Sequence, residues 1–228
     1  MTTLAEDRRP AMLSIAGITL FAVGAALVLL LQLVPPTDEI SVTSRTISEY
    51  GLSDNKWVFN LAVVLVAVGS AVTLAVLRLQ RRLPVVSAAF GALWTIGLLV
   101  IVAFPKTNWA SATGSGAGGT LHRVASVVAF VCLPLAVLIA ARTTFPRSPH
   151  RRFAAHLLAA LSLGWFAIIL GAVAVAAVND ERWWQLIPLG IVERGMALTE
   201  LVALAALAAP VRAKARGQAP DEPATVTP

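Results

Sequence analysis

The sequence predicts an all-α fold, a six-transmembrane-helix bundle with both termini cytoplasmic. Three observations carry that prediction. Mean hydropathy is +0.79 and only 13% of residues are charged, against a hydrophobic share of 57%, a composition suited to lipid rather than to a soluble core. Six apolar segments are each about 20 residues long, enough to cross a bilayer as a helix. Lys and Arg are unequally shared between the two sets of loops: twelve fall on one side (Arg8, Arg9, Arg78, Arg81, Arg82, Arg142, Arg147, Arg151, Arg152, Arg212, Lys214, Arg216) and four on the other (Arg45, Lys56, Lys106, Arg182). By the positive-inside rule the richer side is cytoplasmic.

These features divide the chain into a cytoplasmic N-terminus (1–10), a six-helix membrane domain (11–210) and a disordered cytoplasmic tail (211–228). The helices are expected at about 11–34, 57–77, 84–104, 121–141, 153–178 and 187–209. The first follows "EDRRP" and ends at Pro35-Pro36 with no small-residue cleavage pattern, so it reads as a retained anchor. In the loop 35–56, Thr46 and Glu49 have capping-box spacing for a short surface helix, and Ser53 or Asp54 is placed to cap the second membrane helix ahead of Trp57. A short "RLQRRLP" turn makes the second and third helices antiparallel neighbours. The third ends at "FPKTNW", where Pro105 and Trp109 mark the outer interface, and "ASATGSGAGGT" follows as a flexible linker. Its GxGxxG match (Gly114, Gly116, Gly119) follows no strand and is no dinucleotide fingerprint.

The fourth helix carries Pro134 at its middle, which predicts a kink whose freed carbonyl a packed neighbour satisfies. Cys132, the only cysteine, lies in the same helix, so no intrachain disulfide can form. His150, in the basic loop 142–152, and His156, on the same side of the membrane, read as interfacial, since no carboxylate or cysteine accompanies them at metal spacing. The fifth helix ends in the collar "VNDERWWQLIP", whose tryptophans suit the headgroup level. A three-plus-three inverted repeat would fit six helices, but the halves do not align. Arg outnumbers Lys 15 to 3, the usage of a high-GC bacterial genome.

The sixth helix, "GIVERGMALTELVAL", raises the functional question. An ionised side chain in a bilayer costs on the order of 2.5–3.5 kcal/mol even on lenient scales, so Glu193, Arg194 and Glu200 must face protein or water. Seven residues separate the two glutamates, about 10 Å along the axis and nearly one face, while Arg194 is turned by about 100° toward another neighbour. Glu200 is expected to be neutral and to donate a hydrogen bond to a backbone carbonyl of an adjacent helix. At the height of Glu193 and Arg194 stand Ser48 and Glu49, Lys106, and His122, Arg123 and Ser126. Glu193 with Arg123, or Arg194 with Glu49, would make a buried ion-pair network. A ligand site built from Ser48, Glu49, His122, Arg123, Glu193 and Arg194, with Glu200 beneath, would instead be an outward-facing polar cavity.

Order and spacing of "ISEYG", "FPKTNW", "LHRVAS" and "ERG" over residues 11–210 resemble the bacterial and archaeal membrane-protein family catalogued as domain of unknown function 998. The resemblance implies characteristic polar positions at Ser48, Glu49, Pro105, His122, Glu193 and Arg194. Lys106 departs from a pattern that commonly has an acidic residue near the proline, which argues against a site needing a carboxylate there. The resemblance implies no activity.

Four roles follow. The first is a binding protein that holds a lipid headgroup or small polar ligand. Second is a membrane-embedded hydrolase using His122 and Ser126, with Glu193 orienting the histidine. Others are a structural accessory subunit and a small-solute or proton-coupled transporter; the featureless inner half of every helix argues against a through-path. No cofactor is implied: a single outer histidine suits neither zinc nor haem. The expected partners are the lipid bilayer and a lipid or small-molecule ligand. Nucleic acid is not expected as a partner, because the net charge of +6 reads as a topology signal and a contact surface for anionic lipid headgroups.

Overall fold

A computed structural model describes residues 3–107 and 116–209, with side chains from Met12 onward. The expected tail 211–228, Trp109, Gly114 and most of the glycine-rich linker lie outside the described residues. Within them the chain is all-helical, with six α-helices: α1 (Thr3–Leu30), α2 (Lys56–Leu79), α3 (Val85–Ala103), α4 (Ala117–Thr144), α5 (Pro149–Asn179) and α6 (Leu189–Ala208). Short 3-10 helices cover Thr37–Glu39, Ile47–Leu52 and Trp183–Gln185. Five of the long helices, α1 through α5, are long and apolar enough to cross a membrane. The sixth has the length, but Glu193, Arg194 and Glu200 interrupt its apolar sequence.

Boundaries move where local chemistry outweighs hydropathy. The first helix ends at Leu30 rather than 34, and turns fill the gap before Pro35. The fourth starts at Ala117, so Gly118 and Gly119 belong to its first turn instead of to the linker. A first turn tolerates them because its N–H groups have no intrahelical acceptor in any case. The fifth begins with Pro149 at its start, which shortens the basic loop and places His150, exposed, and His156, half-buried, on α5; proline's fixed φ suits that position. Asn55, not Ser53 or Asp54, precedes α2 as its N-cap residue. Ser53 serves the turn before it, with its Oγ donating to the Tyr50 carbonyl at 2.7 Å and accepting the Asn55 N–H at 3.2 Å.

Each helix packs on its neighbours in chain order, and α6 returns to lie against α4, with lighter contacts to α1 and α2. The core runs through Phe59, Trp94, Leu133, Phe145 and Leu204. Between apolar helices in lipid, close approach by small residues replaces the hydrophobic driving force. At the α1–α2 crossing Gly69 faces the backbone of Gly17 and Phe21, where a Cβ would have no room. α4 continues through buried Pro134. The bond from the neighbouring helix in this region runs from Ser87 Oγ to the Ala136 carbonyl at 2.6 Å, and not to the carbonyl of Phe130 that the proline frees.

The bundle has two unlike ends. Tight turns, 80–84 and 145–148, close one end. There Arg82 donates to the Leu207 carbonyl at 3.3 Å and its own carbonyl accepts from Thr143 Oγ1 at 2.9 Å. Burial first and the Arg151 guanidinium second hold Arg82 below its ordinary basicity. The other end carries the long loops, and residues 37–52 fold across the start of α6.

Candidate functional site

The loop over α6 is positioned from the helix side. Gly190 N–H donates to the Thr43 carbonyl at 2.9 Å, and any Cβ at Gly190 would meet the Val42 and Arg45 carbonyl oxygens. One turn on, Arg194 binds the same segment: Nη1 donates to the Arg45 carbonyl at 2.8 Å and to that of Val42 at 3.2 Å, while Nη2 donates to Tyr50 Oη at 2.9 Å. The guanidinium also stands 5.7 Å from the centroid of the Tyr50 ring, which is completely buried. A planar five-donor fork serves carbonyls and a phenol together in fixed directions, a geometry that a flexible ammonium does not preset.

Glu193 caps the 3-10 helix of that loop. Its Oε2 accepts the Ile47 N–H at 2.8 Å. The expected capping box does not form. Thr46 instead shares a hydrogen bond with Ser48 Oγ at 3.1 Å and accepts from Lys106 Nζ at 2.8 Å. Glu49 accepts from the same ammonium at 2.8 Å and lies 3.6 Å from Arg45. The expected pairs Glu193 with Arg123 and Arg194 with Glu49 are therefore replaced by Glu193 with a backbone amide, Arg194 with carbonyls and Tyr50, and Glu49 with Lys106 and Arg45. Arg194 does not turn away from Glu193's partner, because the loop wraps far enough around α6 to meet both.

His122 is 4% exposed, and its Nδ1 lies 2.9 Å from the Phe104 carbonyl at the end of α3. Ser126 Oγ donates to the His122 carbonyl at 2.9 Å, the i−4 bond common for serine within a helix. Serine and imidazole are thus not hydrogen-bonded to each other, and Glu193 is committed to Ile47: the drawn His122, Ser126 and Glu193 triad is not assembled. Arg123 is exposed, with Nη2 at 3.5 Å from Thr120 Oγ1. Among the described residues, no three His, Cys, Asp or Glu side chains stand close enough to share a metal ion.

Glu200 is separate. It is 1% exposed and receives a hydrogen bond from Ser162 Oγ of α5 at 3.1 Å, a side-chain donor in place of the expected backbone acceptor; its Oε2 has no partner among the described residues.

Two apolar clefts open beneath the loop. The first, about 340 Å³, lies between α1, α2, α3 and α6 and is lined by Val28, Phe59, Val66, Trp94 and Leu201 among others, with Arg194 at its rim. The second, about 320 Å³, lies between α4, α5 and α6, lined by Val127, Phe166, Leu170 and Val173 and rimmed by Thr46, Lys106, His122 and Arg123. Ser48 and Glu193 reach both clefts, whereas Glu200 lines neither.

Tyr50, Thr46 and Ser162 complete these contacts and were not singled out as site residues from the sequence. Tyr50 had a visible signal, as the only tyrosine of the chain inside "ISEYG". The others are ordinary hydroxyls whose partners Lys106 and Glu200 lie 60 and 38 residues away in the sequence.

The helices and the polar rim define a multi-helix protein of membrane type. The chain belongs to the family described as "Protein of unknown function (DUF998)", whose model matches residues 15–210. No curated protein and no solved structure matches it.

Proposed function

We propose that the protein is a six-span resident of the cell membrane, with both termini cytoplasmic, that binds an amphipathic ligand at its long-loop end. One observation carries the binding role. Polar side chains from the loop, the end of α3, the start of α4 and α6 converge on the mouth of a cleft whose deeper walls are apolar, the arrangement of a site that orients a polar group and buries its attachment.

The sixth span rests on the fate of its ionisable groups. At 20 residues α6 is about 30 Å long, the thickness of the hydrocarbon layer. Glu193 and Arg194 bind the loop and Glu200 binds Ser162, so none has to face lipid. Orientation rests on the twelve Lys and Arg residues of one side against four on the other. Trp57, Trp183 and Trp184 suit a headgroup layer at the long-loop end, and the Lys and Arg bias assigns that end to the outer side.

Native mass spectrometry of the full chain in mild detergent tests the binding role. Wild type is expected to retain a lipid-sized mass and Arg123→Gln to lose most of it. A wild type that holds no specific mass, even after lipid is added, overturns the reading.

A further inference from the structure

The two clefts share a partition: Ser48, Ser126, Phe130 and Glu193 line both. We propose that the ligand is a two-chain phospholipid that straddles this partition, one acyl chain in each cleft and the phosphate at the common rim. This rests on the amphipathic-ligand reading above and adds the number of chains and the headgroup class.

Depth supports acyl chains. Along α6 the first cleft runs from Glu193 to Leu201, about 12 Å at helical rise, and along α4 the second runs from Gly119 to Phe130, about 16 Å. Half of a hydrocarbon layer is about 15 Å. The first cleft therefore stops a little short of one leaflet's depth and the second about spans it. Beyond them Leu133, Val137 and Leu204 are completely buried, which suits clefts that end as binding sites within the bundle.

Charge supports a phosphate. Lys106 and Arg123 rim the second cleft and Arg194 the first. Against these three cations stand two carboxyl groups, Glu193 at the partition and Glu49 on Lys106. Among the described residues the rim thus carries more cations than carboxyl groups over apolar walls, which suits an anionic headgroup better than a sugar or a free amine. A single-chain amphiphile would leave one cleft of equal size and the same rim unused.

The test compares phosphatidylglycerol with lysophosphatidylglycerol, one headgroup carrying two chains or one, added to the full chain in mild detergent and read by native mass spectrometry. Ala197→Trp fills the first cleft and Val173→Trp the second; Ala197→Phe and Ile169→Trp serve if either is not monodisperse. Wild type is expected to hold the two-chain lipid at least about tenfold more tightly. Each cleft-filling variant should reduce that affinity to the single-chain level and leave lysophosphatidylglycerol binding unchanged, since one cleft stays open. Equal affinity for the two lipids, or a cleft-filling variant without effect, overturns the two-chain assignment while leaving the amphipathic-ligand reading intact. Absence of binding by both lipids removes both.

Discussion

Replacing Arg194 by Met keeps the side-chain stem and removes the fork that holds the loop. Three of its bonds reach that loop, to Val42, Arg45 and Tyr50. At about 1 kcal/mol net for each, the expected loss is about 3 kcal/mol. Higher values for charged bonds do not apply, because the freed loop carbonyls regain water. For a chain of this size that corresponds to a fall of about 6–12 °C in melting midpoint. Arg194→Lys should recover about 1 kcal/mol, since an ammonium reaches one carbonyl without also reaching the phenol. The assay is a thermal melt in detergent combined with limited trypsin digestion, in which cleavage after Arg45 accelerates once the loop is released. A midpoint within about 2 °C of wild type, with unchanged cleavage after Arg45, would refute the clamp.

Other substitutions test neighbouring parts. Gly190→Ala should displace the loop, because its methyl meets the Val42 and Arg45 carbonyl oxygens, whereas Gly164→Ala, with open space around it, should raise stability by about 0.5–1 kcal/mol; both are read by thermal melts. Lys106→Met, which strips Glu49 of a cation whose side chain is 4% exposed, should cost about 3 kcal/mol, and the double variant with Glu49→Gln should cost less than Lys106→Met alone. Wild type should not react with a fluorophosphonate serine probe, and Ser126→Ala should melt within about 0.5 kcal/mol of it, since only an i−4 bond is lost. Labelling of wild type that disappears in Ser126→Ala would restore the hydrolase reading.

The helices were legible because hydropathy over about 20 residues needs no tertiary information. Their ends were less so: Gly118 and Gly119 look like linker until they are seen in a first turn, where glycine costs little. For the site, depth alone picked out Glu193, Arg194 and Glu200 as groups that needed partners. It could not name those partners. Charge matching pointed to Arg123 for Glu193 and Glu49 for Arg194, yet the first took a backbone amide and the second backbone carbonyls. Main-chain groups carry no signature in a sequence, since every residue except proline offers the same donor and acceptor. Which of them is left unpaired depends on a loop path that only the folded chain defines.

The clamp also sets an order of events at the ribosome. Arg194 trails its loop partners by 144 to 152 residues, so at about 5–20 residues per second the loop waits roughly 7–30 s before the helix that fastens it is made. Through that interval the Ile47 amide and Tyr50 hydroxyl must be met by water or by an insertion factor. A nascent chain stalled before α6 would present this unfastened segment, giving quality-control proteases a means to distinguish an unfinished protein from a finished one.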